Sequence, residues 1–316
     1  MCSSPSQCKE TIRRLALDAG FEACGFAEAC PVAAPAVAAY DRWTAEGRHF
    51  SMGYLENHRE VRNDPRLLLD GAKTVICLAL NYYPSTLQPA NAPQFAYYAY
   101  GRDYHDTVRR LLSPVTAFLT ETCGAACRIC VDSAPIRERY WAQQAGIGFV
   151  GRNNQLILPG KGSYFFLCEI VTTLALPPDV PASGNCGDCH QCVDACPAKA
   201  LPGDYSALDA RCCLSCLTIE HRGDLPEKTA EKLGKRVYGC DACQKACPHN
   251  RNARPNHIAD FQPSEEFLSL SFESMARITV DDFRRIFKGS AVKRIKYEGL
   301  MRNLKAATTH PDKKRE

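Results

Sequence analysis

Cys186-Gly-Asp-Cys189-His-Gln-Cys192-Val-Asp-Ala-Cys196-Pro197 and, further on, Cys240-Asp-Ala-Cys243-Gln-Lys-Ala-Cys247-Pro248 decide how this chain is read. The first run is C-x2-C-x2-C-x3-C-P. That spacing wraps three thiolates around one cubane iron–sulfur cluster and sends the fourth, placed before a turning proline, to a second cluster. The later run is one cysteine short. Cys213 is the natural supplier, with Cys212 and Cys216 near enough to substitute. The assignment crosses over. Cys186, Cys189, Cys192 and Cys247 take one cluster, and Cys196, Cys213, Cys240 and Cys243 take the other. Paired CxxC motifs also build zinc sites, but the two Cys-Pro endings favour clusters. The chain moves electrons.

The chain has 316 residues, of which 45% are hydrophobic and 23% charged, the composition of an ordinary globular protein. No stretch approaches the ~20 apolar residues of a membrane helix. Residues 1–10 show neither a charged-then-apolar signal nor a twin arginine. The expectation is a cytoplasmic protein without membrane contact. Eight of the 19 cysteines are used above, and in a reducing compartment the rest read as free thiols. Formal charge is +4. The residues from Arg284 onward are rich in Lys and Arg, and Lys293-Arg-Ile-Lys-Tyr297 sets an aromatic among the charges, as phosphate-binding segments do.

Upstream of the cysteines, patterns of helix and strand alternate. Helices are expected over 6–19, 35–46, 106–122 and 136–145. Strands are expected over 21–26, 73–80 and 128–132, and a hairpin over 155–176 around Pro159-Gly-Lys-Gly162. Beyond about residue 261 the chain reads as helical, with helices over 277–287 and 291–306. Three segments follow: an α/β domain over 1–177, a cluster module over 178–260 and a basic helical segment over 261–316. A plain carrier needs only the module, so the first ~180 residues should hold whatever receives the electrons.

Gly146-x-Gly-x-x-Gly151 matches a dinucleotide fingerprint in letters only. A helix precedes it and a polar segment follows, the reverse of the required order. Close approach of this backbone to a large flat ligand is left open. Asp103-Tyr-His105 begins like the D-x-H-x-x-G motif that offers cobalamin a lower histidine, but Val108 stands at the glycine position. His105 is therefore not taken as a cobalt ligand. Asp132 ends the apolar run Ile129-Cys-Val131 and precedes Ser133-Ala-Pro135. It suits either a helix N-cap or a desolvated proton donor with a raised pKa.

Further residues carry a family resemblance. Asp64-Pro-Arg66, Tyr100-Gly-Arg-Asp-Tyr-His105, Val131-Asp-Ser-Ala-Pro-Ile-Arg-Glu-Arg139 and Ala145-Gly-Ile-Gly-Phe-Val-Gly-Arg-Asn-Asn154 resemble epoxyqueuosine reductase. So do Gly162-Ser-Tyr-Phe-Phe-Leu167, Leu217-Thr-Ile-Glu-His221 and Val292-Lys-Arg-Ile-Lys-Tyr-Glu-Gly-Leu-Met-Arg-Asn303, together with the doubled cysteine motif. The resemblance spans residues 10–306. It implies an α+β fold, similar to reductive dehalogenases: an α/β cobalamin-binding domain, a ferredoxin-like module with two 4Fe-4S clusters and a helical C-terminal segment.

The resemblance also implies a monomer that takes electrons from an external donor and reduces epoxyqueuosine to queuosine at the tRNA wobble position. Asp132 would be the proton donor. The corrinoid would lie against Arg59, Tyr97, Tyr98, Arg137, Asn154 and the loop before Cys240, with Asp132, Tyr104 and His105 beside it. Lys293, Arg294, Lys296 and Arg302, on one basic helix, would hold tRNA phosphates. Many members carry a longer helical-repeat extension than a chain ending at Glu316, and Gly151-Arg-Asn153 stands where Gly-Lys-Asn is commoner. A cobalamin-dependent dehalogenase and a non-catalytic cluster carrier are the rival readings. The basic helix argues against the first and the large α/β domain against the second.

Overall fold

The computed structural model describes residues 4–226 and 228–309. Its strands are β1 (Ala23–Glu28), β2 (Thr74–Asn81), β3 (Gln94–Phe95), β4 (Cys127–Cys130), β5 (Phe149–Val150), β6 (Leu156–Ile157), β7 (Phe165–Thr172) and β8 (Arg236–Tyr238). The main sheet has the order β1-β2-β7-β4, antiparallel throughout. β2 is buried at every position, which explains its apolar run Val75–Leu80 and its central place. Strand side chains alternate between faces. Ile76, Leu78 and Leu80 therefore join one core with Ile12, Phe26, Phe166 and Ile170. Val75, Cys77 and Ala79 join another with Trp141, Ala142 and Val171. Each fully buried Ile or Leu contributes roughly 1.5–3 kcal/mol, so the sheet is secured from both sides.

The helix over Glu138–Gln144 packs on the second face, and its approach depends on Gly25 in β1. A Cβ at Gly25 would stand 2.0 Å from the Ala145 carbonyl oxygen, whereas one at Gly53 meets nothing within 4 Å. Gly25→Ala should lower stability by about 3 kcal/mol, read as a fall in thermal midpoint by circular dichroism, with Gly53→Ala near wild type.

Several sequence expectations shift. The hairpin over 155–176 does not form. β6 pairs with β5, and β7 enters the main sheet, leaving a single bridge between Leu158 and Gly162 around the intervening turn. The glycine run serves close protein packing. Cβ atoms at Gly148 and Gly151 would collide with Ile157, and one at Gly146 with the Val180 carbonyl. The expected helix over 291–306 is a 3-10 turn, Ala291–Ile295, and a separate α-helix, Lys296–Thr309. They are broken at Lys296, which has φ 58°.

The C-terminal segment does not stand apart from the rest. Phe267, Phe283, Phe287, Leu300 and Leu304 share the core that holds Phe95 and Tyr100. The parallel pair β3·β8 ties the first segment to the cysteine module, and Asn303 donates to the carbonyls of Thr218 and Val237 at 2.9 Å. Among the described residues no helix is long and apolar enough to cross a membrane. The last basic residues, within 310–316, lie outside the described residues.

Candidate active site

The cysteines gather in the crossed pattern. Cys186, Cys189, Cys192 and Cys247 line one small cavity together with Ile157 and Pro248. Cys196, Cys213, Cys240 and Cys243 line a much larger cleft. Burial first, then the neighbouring Cys240 and Cys213 with Cys196 behind them, push the Cys243 thiol well above its ordinary pKa. Burial likewise raises Cys192, Cys213 and Cys247. Thiols so placed become thiolates readily only when a metal takes the charge, so both quartets fit clusters. Cys212 is exposed, and the buried Cys216 hydrogen-bonds Ser51. Cys216 also lines the cleft, but it neighbours only Cys213 of the quartet, whereas Cys213 neighbours both Cys240 and Cys196.

The cleft has a volume of about 2300 Å³, beyond the ~300–1,000 Å³ of ordinary small-molecule sites. It has room for a large cofactor and part of a macromolecular substrate together. Tyr98, Tyr104, His105, Asp132, Arg137, Asn154 and Tyr238 line it. Arg137 donates to the Ala36 carbonyl at 2.9 Å and to Asn63, and lies over the Tyr40 ring. Asn154, at φ 59°, donates to the Ser206 carbonyl and accepts from Leu208 N–H, both at 3.3 Å.

Two residues expected beside the corrinoid lie outside the cleft lining. Arg59 is not part of the lining; it is exposed and paired with Asp41, while Arg62 faces the cleft. Tyr97 is buried among Tyr83, Tyr100 and Tyr164.

Asp132 departs from the sequence reading in two respects, as a helix cap and in the direction of its pKa shift. The first turn of the following helix begins at Glu138 with Arg137 as its flanking residue, so Asp132 caps nothing. Nor is its pKa raised: the bond from His105, then that from Tyr104, outweigh burial and hold it below the usual carboxylate value. His105 lies between two acids, with Nδ1 2.6 Å from Asp103 and Nε2 3.6 Å from Asp132. They push its pKa up to about 9. Asp103, capping the helix over Tyr104–Leu111, fixes the ring from behind. Tyr104 stacks between His105 and Phe166, at 4.3 and 4.2 Å. At neutral pH the proton therefore sits on the imidazole and the carboxylate faces it.

The basic residues divide. Lys293 and Arg294 line the cleft. Arg294 grips Glu220 with two bonds, at 2.8 and 2.7 Å, leaving Lys293 exposed beside it. Lys296 is exposed outside the lining. Arg302 gives way as a phosphate contact. Its guanidinium is committed to the carbonyls of Leu217, His221 and Gly223 and to Asn303. Arg302→Ala should cost about 2 kcal/mol of stability, seen as a lower denaturation midpoint. Glu138 and Glu220, both in the cleft lining, stood within the quoted motifs with no role attached.

Comparisons with known proteins agree with this geometry. Residues 62–133 match the family model "Epoxyqueuosine reductase QueG, DUF1730", and residues 185–250 match the "4Fe-4S double cluster binding domain". Fold and site thus define an iron–sulfur oxidoreductase. A curated epoxyqueuosine reductase from Cellulophaga algicola is 38% identical over 298 residues, covering 93% of this chain and 96% of that one. One from Leadbetterella byssophila is 40% identical over 299 residues, with 93% and 96% covered. This chain belongs to the epoxyqueuosine reductase family.

A crystal structure of epoxyqueuosine reductase with an epoxyqueuosine-modified tRNA-Tyr stem loop superposes with TM-score 0.87 at 31% identity, covering 97% of this chain and 82% of that one. The Bacillus subtilis enzyme superposes with TM-score 0.88 at 30% identity, covering 97% and 82%; its catalytic aspartate loop is swung out of the active site. A catabolic reductive dehalogenase shares the fold, with TM-score 0.52 at 16% identity over 98% of this chain and 37% of that one.

Proposed function

We propose that this chain reduces epoxyqueuosine to queuosine in tRNA, with cobalamin in the cleft and Asp132 as proton donor. The observation that carries the reading is the convergence of Asp132, His105 and four cluster cysteines on one cleft. When bound, the two clusters supply electrons singly and cobalamin supplies a low-valent metal centre at the epoxide. Loss of the epoxide oxygen as water takes two electrons and two protons. Asp132, ionised at rest, takes the proton of His105, whose positive charge Asp103 supports, and passes it to that oxygen; the pair reloads from solvent to supply the second proton.

Cys196, Cys213, Cys240 and Cys243 hold the cluster nearer the substrate, and Cys186, Cys189, Cys192 and Cys247 the one that an external donor reduces first. One chain supplies every group named, so a monomer suffices. Tyr98, Arg137 and Asn154 border the cobalamin. Lys293 and Lys296 meet tRNA phosphates, leaving loop bases free to splay inward. The Asp132 loop swings between an inward and an outward position.

The deciding assay gives anaerobically reconstituted protein cobalamin, a chemical reductant and tRNA carrying epoxyqueuosine, with nucleosides read by mass spectrometry. Cobalamin-dependent conversion is expected. No conversion, with clusters and corrinoid present, would sink the assignment. Lys293→Ala should weaken tRNA binding several-fold at low salt, about one phosphate contact, without moving the thermal midpoint.

A further inference from the structure

Glu169 on β7 has no exposed surface, and neither carboxyl oxygen has a hydrogen-bond partner among the described residues. Its cross-strand neighbours are Cys77 on β2 and Cys130 on β4, both in the core that receives the Glu138–Gln144 helix. That helix brings a second acid, Glu138, and burial followed by the Glu138 charge pushes the Glu169 carboxyl far up. An acid this enclosed with no donor to meet it calls for a reason.

Glu138 connects this acid to the cleft. Its Oε1 accepts the Asp132 backbone N–H at 2.8 Å. Asp132 sits at φ 49°, a left-handed conformation that a non-glycine residue keeps only when its surroundings hold it there. The carboxylate that faces His105 is thus aimed by a strained backbone, and Glu138 provides its side-chain tether.

We propose that Glu138 is a positioning residue that latches the Asp132 loop into the cleft, with Glu169 as the neutral acid behind it. This rests on the reading of Asp132 as proton donor. Two carboxyls enclosed together do not both ionise. Glu169, fully enclosed, keeps its proton. Burial and then the Asp132 charge push Glu138 up to about 7, while the bond to the Asp132 amide, Arg139 and His105 pull it down, so of the two acids Glu138 is the one that ionises. A charged acceptor makes the stronger bond to the Asp132 amide, so the buried pair sets how firmly the loop is held inward.

The test uses the holoenzyme with clusters and cobalamin loaded. It measures kcat, KM for the modified tRNA, and hydrogen exchange of the peptide spanning 131–136. Glu138→Ala should lower kcat by ~30–100-fold with KM within about 2-fold, and speed exchange of that peptide by ~10-fold or more. Glu138→Gln, which retains an acceptor oxygen, should recover kcat to within ~5-fold of wild type, and Glu169→Gln should stay within ~3-fold. Should Glu138→Ala not fold, Glu138→Met keeps the length without an acceptor and carries the same expectation.

Unchanged kcat and exchange in Glu138→Ala would overturn the latch. So would a loss that Glu138→Gln does not rescue, because it would make Glu138 a proton carrier. A ~30-fold loss in Glu169→Gln would overturn the neutral role of Glu169. Asp132→Asn separates the layers. If it stays active, the proton-donor reading fails. If it is inactive while Glu138→Ala is not, only the latch fails.

Discussion

Asp132→Asn is expected to lower turnover by roughly 10³-fold or more while both clusters and cobalamin stay bound, as read by absorbance and iron content. A positioned general acid contributes ~10²–10⁴-fold, and Asp132 is the cleft carboxylate that faces His105 Nε2, Asp103 holding the other ring nitrogen. Asparagine keeps the shape and can still accept from Tyr104 and His105, so the loss would report the proton and not the packing. The pH dependence has a definite sign. His105, pushed up to about 9 by Asp103 and Asp132, is charged below that value and neutral above it. Proton delivery should therefore persist through neutrality and fall as pH rises through about 9. His105→Gln should lower turnover and remove that basic limb. A profile unchanged in His105→Gln would place the proton elsewhere.

The second large effect is expected from a single sulfur. Cys213→Ser should lose one whole cluster, about half of the protein-bound iron and sulfide, and turnover with it. Cys212→Ser, one residue away, should lose neither. Cys213 is placed with Cys196, Cys240 and Cys243 around the cleft, whereas Cys212 points to the exposed surface and Cys216 is bonded to Ser51. Serine matches cysteine in size, so the contrast isolates ligation from packing. The cleft-side cluster should be the one lost, leaving the spectrum of the Cys186–Cys247 cluster in place. Equal iron in both variants would return the ligand to one of the neighbours.

Sequence by itself determined the covalent logic of this protein. Thiolate spacing is a local property: three cysteines separated by two residues and a Cys-Pro ending imply wrapping and crossover whatever surrounds them. The same holds for β2, whose six-residue apolar run Val75–Leu80 places it at the centre of the sheet. The extended motifs carried the family.

What depends on groups distant along the chain was decided by the tertiary structure. Arg302 reads as a phosphate ligand until its donors are found spent on carbonyls about 80 residues earlier. Arg59 and Tyr97 are sequence neighbours of the cleft residues Arg62 and Tyr98, but the backbone turns them away from it. The charge state of Asp132 could not be read locally, because its partner His105 lies on another element and inverts the shift that burial alone would give. Glu138 and Glu169 show this most fully. Spacing along the chain says nothing of two acids brought near each other only when a helix is laid on a sheet, and one of them reaches the Asp132 backbone.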